Sequence, residues 1–192
     1  MMEYLVVIVI SYLLGSIPFG LLITKLFLKK DIREIGSGNI GATNVLRSGN
    51  KFIGYTTLFL DIFKAVVPVI FVKYNYFDLV YISALSVFLG HVFPIWLKFK
   101  GGKGVASYVG ILLSLNLIYG LVFGITWIII FLISRYSSLS SLIGSLSIPI
   151  YLFFTNGSQI IFFVIMFVLI FYTHRENIKR LKNKEESKTK IY

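Results

Sequence analysis

The 29 residues from Val105 to Ile133 contain no charged side chain. A run of this kind cannot form the surface of a soluble domain. It is too long for one membrane-spanning helix, which needs about 20 apolar residues, and short for two. Asn116 and Gly120 interrupt it, which predicts a tight turn there, a short span before it and a fuller one ending near Ser134. Similar segments lie on either side. Tyr4–Thr24 reads as a first span, kinked by Gly15, Pro18 and Gly20. Phe52–Val72 and Leu79–Leu97 follow, and Leu142–Phe154 is a short sixth span broken by Pro149. Gln159–Thr173 is a seventh. The expected fold class is all-α, a polytopic membrane helix bundle of about seven spans, or five if the short segments are re-entrant. Residues 1–192 read as one integral membrane domain with a basic tail from about 174 to 192.

Composition agrees. Only 14% of residues are charged, where a soluble domain carries about a quarter. No Lys or Arg precedes the first apolar run, so it reads as a retained helix rather than a secretory leader. There is no cysteine, and the two histidines are His91 and His174. Thiol chemistry is thereby excluded, and neither a metal centre nor a cofactor is expected.

The net charge of +11 is distributed unevenly. Of the 19 Lys and Arg side chains, 17 fall in the loop 25–51, the turn 98–103, at Arg135 and in the tail. With seven spans these all lie on one side, and positive loops stay cytoplasmic. The amino terminus is then outside and the tail inside. Anionic inner-leaflet lipid and an anionic substrate account for the charge, and no nucleic-acid partner is needed.

The polar motifs gather on that same side. Gly36–Arg47 reads Gly-Ser-Gly-Asn-Ile-Gly-Ala-Thr-Asn-Val-Leu-Arg. Gly36, Gly38 and Gly41 let backbone N–H groups approach a ligand. Ser37, Asn39, Thr43 and Asn44 add polar side chains, and Arg47 adds a planar fork for phosphate or carboxylate. Together they suggest an anion cradle. Gly36-x-Gly38-x-x-Gly41 also fits a dinucleotide fingerprint, with Asp61 twenty residues beyond. That reading fails, because no buried strand precedes the motif and Asp61 lies in an apolar span. Gly101, Gly102, Lys103 and Gly104 form a second basic turn at a helix start, where free N–H groups and the helix dipole favour phosphate. It is not a Walker loop: Leu97 stands where the first Gly belongs and Gly104 where Ser or Thr should be. His174-Arg-Glu-Asn177 opens the tail. Arg135–Ser141 is read as a hydroxyl-rich loop in which one of Ser137, Ser138, Ser140 and Ser141 contacts substrate. Asp61 and Lys64 lie three apart on one helix face and read as a structural ion pair.

On these residues the chain resembles the bacterial membrane acyltransferases that use acyl phosphate to acylate glycerol 3-phosphate. The resemblance rests on Tyr12–Gly20, Gly36–Asn44, Gly90-His-Val-Phe-Pro-Ile-Trp96 running into Phe99–Gly104, and His174–Asn177. It implies a seven-span protein of the bacterial inner membrane with its active site on the cytoplasmic side. The reaction implied is acyl transfer to the 1-position of glycerol 3-phosphate, giving lysophosphatidate and inorganic phosphate. A partner enzyme that makes acyl phosphate is implied as well. By the resemblance Ser37, Arg47, Lys103, His174 and Asn177 would bind phosphate and glycerol groups, with Ser37, Arg47, His174 and Asn177 nearest the chemistry and Ser138 or Ser141 adding a hydroxyl. The other glycerol-phosphate acyltransferases carry His-x-x-x-x-Asp, whereas His91 is followed at that spacing by Trp96 and His174 by Lys179.

No Ser-His-Asp triad or Gly-x-Ser-x-Gly elbow is present. An acyl phosphate is already activated, so the protein has mainly to hold two anions side by side. A substrate phosphate or His174 would take the hydroxyl proton. A transporter of a phosphorylated metabolite is the alternative. It places its site near the midplane and is built from repeats, whereas these motifs crowd one face.

Overall fold

The computed structural model describes residues 1–189 and is helical throughout, with no strand among the described residues. Lys190, the last cation of the tail, lies outside them. The chain divides into two compact units, Met1–Leu115 and the part from Asn116 onward, where the sequence suggests one domain over 1–192.

In the first unit, α1 (Met2–Gly15) and α2 (Phe19–Ile23) are halves of one bent span that ends in a π turn, Thr24–Leu28. Pro18 lacks the N–H needed to continue the helix, so the kink falls where the sequence predicts it. The loop beyond carries the six-residue helix α3 (Ala42–Arg47). α4 (Lys51–Asn75) starts at Asn50, whose side chain accepts from Ile53 N at 3.0 Å. α5 (Val80–Val92) and the short α6 (Val105–Leu115) complete the unit.

Small residues let these helices touch backbone to backbone, as membrane helices do. A Cβ at Gly15 would overlap Val87 O, and one at Gly90 would overlap Tyr12 O, so α1 and α5 meet there. Ser11 and Ser83 share a hydrogen bond of 2.8 Å between the same helices, and Tyr12 Oη donates to Phe93 O at 2.6 Å. α6 lies on α4 through Gly110, whose added Cβ would stand 2.5 Å from Ile62 O. Lys73 donates to Ser114 O at 2.8 Å and Leu115 O at 2.9 Å, capping the carbonyl end of α6. Leu21, Ile32, Ile40, Val45 and Ile53 form a buried cluster that fastens the polar loop to the helices.

The second unit holds α7 (Leu117–Ser134), α8 (Ser137–Phe154), α9 (Ile160–Thr173) and α10 (Arg175–Lys182). The turn expected between Asn116 and Gly120 is confined to Asn116, which caps α7 by accepting from Ile118 N at 2.9 Å; Gly120 lies inside the helix. On α7 Phe123 is buried, packed against Gly144 of α8, while Ile125, Ile128 and Leu132 are exposed as a lipid-facing side chain would be.

Two expectations change here. The stretch from Ser137 to Ser141 is the first turn of α8 and not a loop. Ser140 Oγ donates to Tyr136 O at 2.9 Å and Ser141 Oγ to Ser137 O at 2.8 Å, so the hydroxyls are satisfied within the helix. Nor does Pro149 break α8; the helix runs through it, as α4 runs through Pro68.

Seven apolar helical segments occur where the sequence places spans. Five of them are long and apolar enough to cross a membrane, or six if α9 and α10 count as one bent span. α6, with 11 residues, covers about 16 Å, short of a hydrocarbon core of about 30 Å.

Candidate active site

The Gly36–Arg47 turn is held together by one buried amide. Asn44 is 3% exposed. Its Nδ2 faces Ile32 O at 3.1 Å, Ile35 O at 2.8 Å and Asn39 O at 2.8 Å. Its Oδ1 accepts from Ser37 N at 2.9 Å. Asn39 Oδ1 in turn accepts from Gly41 N at 2.9 Å, and Gly38 N donates to Ile35 O at 3.0 Å. The expected anion cradle of open N–H groups is therefore corrected at Ser37, Gly38 and Gly41, whose amides are committed inside the turn. The Asn44 amide is spent inside the turn, and Asn39 Oδ1 is spent there as well. Gly36 and Gly38 take φ of +58° and +70°, and a side chain at Gly36 would strike Asn44 Oδ1. The turn therefore presents exposed Ser37 and Arg47, with Thr43 half-buried beside them. Arg47 lies in the last turn of α3 with its stem next to Gly36. Two neighbouring cations, Arg33 and Lys25, are taken up by Asp31, at 2.6 Å and 3.3 Å. Hydrogen bonds from Arg33 hold the Asp31 carboxyl well below the usual carboxylate range.

The second turn is held by backbone. Gly101 N donates to Val92 O at 3.0 Å and Gly102 N to His91 O at 3.1 Å, which closes the turn against the end of α5. These two amides are likewise committed, which corrects the reading of Gly101 and Gly102 as phosphate donors. Neither position has room for a side chain: a Cβ at Gly101 would meet His91 O and one at Gly102 the His91 ring. Gly104 takes φ of +85° against the Phe88 ring. Lys103, half-buried, follows these glycines two residues ahead of α6.

In the second unit the polar groups meet around a residue that the motifs leave out. Glu186 Oε1 accepts from Asn177 Nδ2 at 2.7 Å and from Ser138 Oγ at 2.9 Å, and Oε2 accepts from Arg180 Nε at 2.7 Å. Burial alone would raise its carboxyl pKa, but the hydrogen bonds from Arg180, Asn177 and Ser138 outweigh it and leave it lowered. This clasp is therefore in place at neutral pH and is lost only as the pH falls through the carboxylate range. Thr189 N donates to Arg135 O at 2.9 Å further along the tail. Because Asn177 Nδ2 must face a carboxylate, Oδ1 is the atom turned elsewhere, and this buried acceptor has no hydrogen-bond partner among the described residues.

His174, 2% exposed, sits at the 62° bend between α9 and α10. Its Nδ1 lies 2.8 Å from Ile170 O. A carbonyl only accepts, so Nδ1 carries the hydrogen, and the lone pair of the neutral ring is on Nε2. Ser138 and Ser141 are buried, at 7% and 3% exposed; Ser141 Oγ also accepts from Trp127 Nε1 at 3.1 Å. No group of three His, Asp or Glu placed to hold a metal occurs among the described residues.

The glycerol-3-phosphate acyltransferase family model matches residues 5–184, across both units. The chain belongs to this family. It is 72% identical over 191 residues to the glycerol-3-phosphate acyltransferase of Pelagibacter ubique, covering all of both chains. Identity to that of Bradyrhizobium diazoefficiens is 50% over 185 residues, with 95% and 93% covered. The chain also superposes on the crystal structure of PlsY (YgiH), an integral membrane glycerol 3-phosphate acyltransferase. The TM-score is 0.91 at 36% identity for the glycerol 3-phosphate form, covering 98% of this chain and 96% of that one. For the lysophosphatidic acid form it is 0.88 at 35% identity, with the same coverage. The protein is accordingly an integral membrane acyltransferase, and the transport alternative falls.

Within this family frame, Glu186, Arg180 and Trp127 are the residues that sequence reasoning missed. A signal for Glu186 existed: Glu185 and Glu186 are an acidic pair in a tail otherwise rich in Lys.

Proposed function

We propose that the protein transfers a fatty acyl group from acyl phosphate to the 1-hydroxyl of glycerol 3-phosphate, in the inner membrane of a bacterial cell and at its cytoplasmic face. The hydroxyl oxygen attacks the acyl carbon, the bond from that carbon to the phosphate oxygen breaks, and lysophosphatidate and inorganic phosphate leave. An enzyme that makes acyl phosphate must supply the donor. The observation that carries this reading is that Arg47 and Lys103 each belong to a glycine turn fixed by its own hydrogen bonds. A turn fixed in this way holds its cation in a set place, which is what recognition of a phosphate requires.

The remaining groups divide by polarity. Asn177 offers an acceptor, which repels phosphate and suits a glycerol hydroxyl. Ser37 offers a hydroxyl beside Arg47. His174 has two roles available, set by protonation: the neutral ring accepts a hydroxyl proton at Nε2, and the imidazolium donates to phosphate. We assign it the second, with a substrate phosphate taking the proton, because the anhydride needs no strong base. Basic side chains on α10 would rest on anionic lipid.

The donor and the sidedness are tested together in sealed membrane vesicles of both orientations. Acyl phosphate with glycerol 3-phosphate should give lysophosphatidate in inverted vesicles, while acyl-CoA and acyl carrier protein should give none. Equal rates from carrier-linked donors sink the donor, and activity confined to right-side-out vesicles sinks the orientation. For His174, the kcat of His174→Asn should retain substantial rate across pH. A fall of more than about a thousandfold, with the acid limb abolished, makes it the general base instead.

A further inference from the structure

The buried charges of α4 have no part in the chemistry above. Asp61 is 2% exposed and Lys64 5%. Lys64 Nζ lies 2.8 Å from Asp61 Oδ1 and donates to Ile17 O, in the break of the first span, at 2.7 Å. His91, 3% exposed, brings its Nδ1 to 3.7 Å from the same carboxylate oxygen. Ser107 of α6 donates to Asp61 O at 3.3 Å. Three ionisable side chains thus lie together inside a membrane protein, where burying charge is costly unless it is paired.

The other side of the His91 ring meets the second glycine turn. Nε2 faces Gly102 so closely that a Cβ there would collide with Nε2, Cδ2 and Cε1. His91 O accepts Gly102 N, and Val92 O accepts Gly101 N. One residue therefore meets the turn with both its backbone and its ring, while its Nδ1 stands beside Asp61 Oδ1 beyond hydrogen-bond reach. We infer that His91, packed between Asp61 and Gly102, is a positioning residue for Lys103, setting the place of the Gly101–Gly102 pair and so of the cation that follows it. This rests on the assignment of Lys103 to a substrate phosphate.

The test is a double-mutant cycle on the full chain in detergent, reading KM for glycerol 3-phosphate and for acyl phosphate separately. Lys103→Ala should raise one of these by about ten- to a hundredfold, the loss of a charged hydrogen bond. His91→Ala and Gly102→Ala should each raise that same KM by about tenfold, with kcat nearly unchanged. In Gly102→Ala/His91→Ala the ring that the new methyl would strike is gone, so the double variant should be no worse than the poorer single one. Single effects that multiply in the double variant overturn the inference, as does a loss in His91→Ala that appears only as a lower melting temperature. If His91→Ala does not fold, the cycle is run with His91→Gln, which keeps a polar group toward Asp61, under the same criteria. A normal KM in Lys103→Ala overturns the phosphate assignment itself, and the inference with it, whereas a raised KM with an uncoupled cycle overturns the inference alone.

Discussion

The two glycine-rich turns of the first unit look alike in composition and are built in opposite ways. Gly36–Arg47 is organised by a side chain: Asn44 gathers three carbonyls and one amide around its buried carboxamide. Gly101–Gly104 is organised by backbone laid against backbone and against the His91 ring, and its glycines are there to make no contact of their own. The first turn is thus vulnerable to losing one functional group, and the second to gaining one methyl. A glycine in a sequence does not say which design is in use.

That contrast breaks most sharply at Asn44. Asn44→Ala removes the amide that bonds Asn39 O and Ser37 N, and strips one donor each from Ile32 O and Ile35 O, which keep Ile35 N and Gly38 N. At about 1–3 kcal/mol for each of the two groups left unpaired, kcat/KM should fall by about a hundredfold, while circular dichroism still reports the helices. Near-normal activity would mean that the turn holds itself without the amide.

Arg47 separates the scaffold from what it presents. Arg47→Ala should lower kcat/KM by about ten- to a hundredfold with little change in melting temperature, since the side chain is exposed. Arg47→Lys keeps the charge without the fork and should fall between the two. A Lys variant equal to wild type would assign the residue to charge alone.

How far these arrangements were legible in the sequence follows from the range of the forces involved. The breaks in the helices at Asn116 and Pro18 are local effects, fixed by a few neighbouring residues, and both stand where the sequence puts them. The polar character of Gly36–Arg47 was legible too, but not that its amides close on one another, because that depends on Asn44 being drawn under the turn by Val45 and Ile40 in the buried cluster. The serines of α8 misled for a related reason. Hydroxyls suggest solvent or substrate, yet a helix offers them carbonyls one turn back. Glu186 was hidden because its partners Ser138 and Asn177 are distant in sequence or belong to another motif.

The smallest effect comes from a glycine of neither kind. Gly124 lies within α7 with nothing inside 4 Å of an added Cβ. Gly124→Ala should leave activity unchanged and stabilise the protein by about 0.5–1 kcal/mol, read as a slightly higher melting temperature. Lost activity there would mean that space around a glycine is a poor guide to its role.

The cap that Lys73 places on α6 has a consequence for how the protein sits in lipid. A helix of 11 residues, closed off by an ammonium group at Ser114 and Leu115, cannot lengthen to meet a thicker membrane. Leu113 is the one exposed side chain of this helix, so the missing length is made up by the protein packed around it and not by lipid. The helix that begins next to Lys103 is thereby kept at a fixed length, whatever the lipid tails around the protein measure.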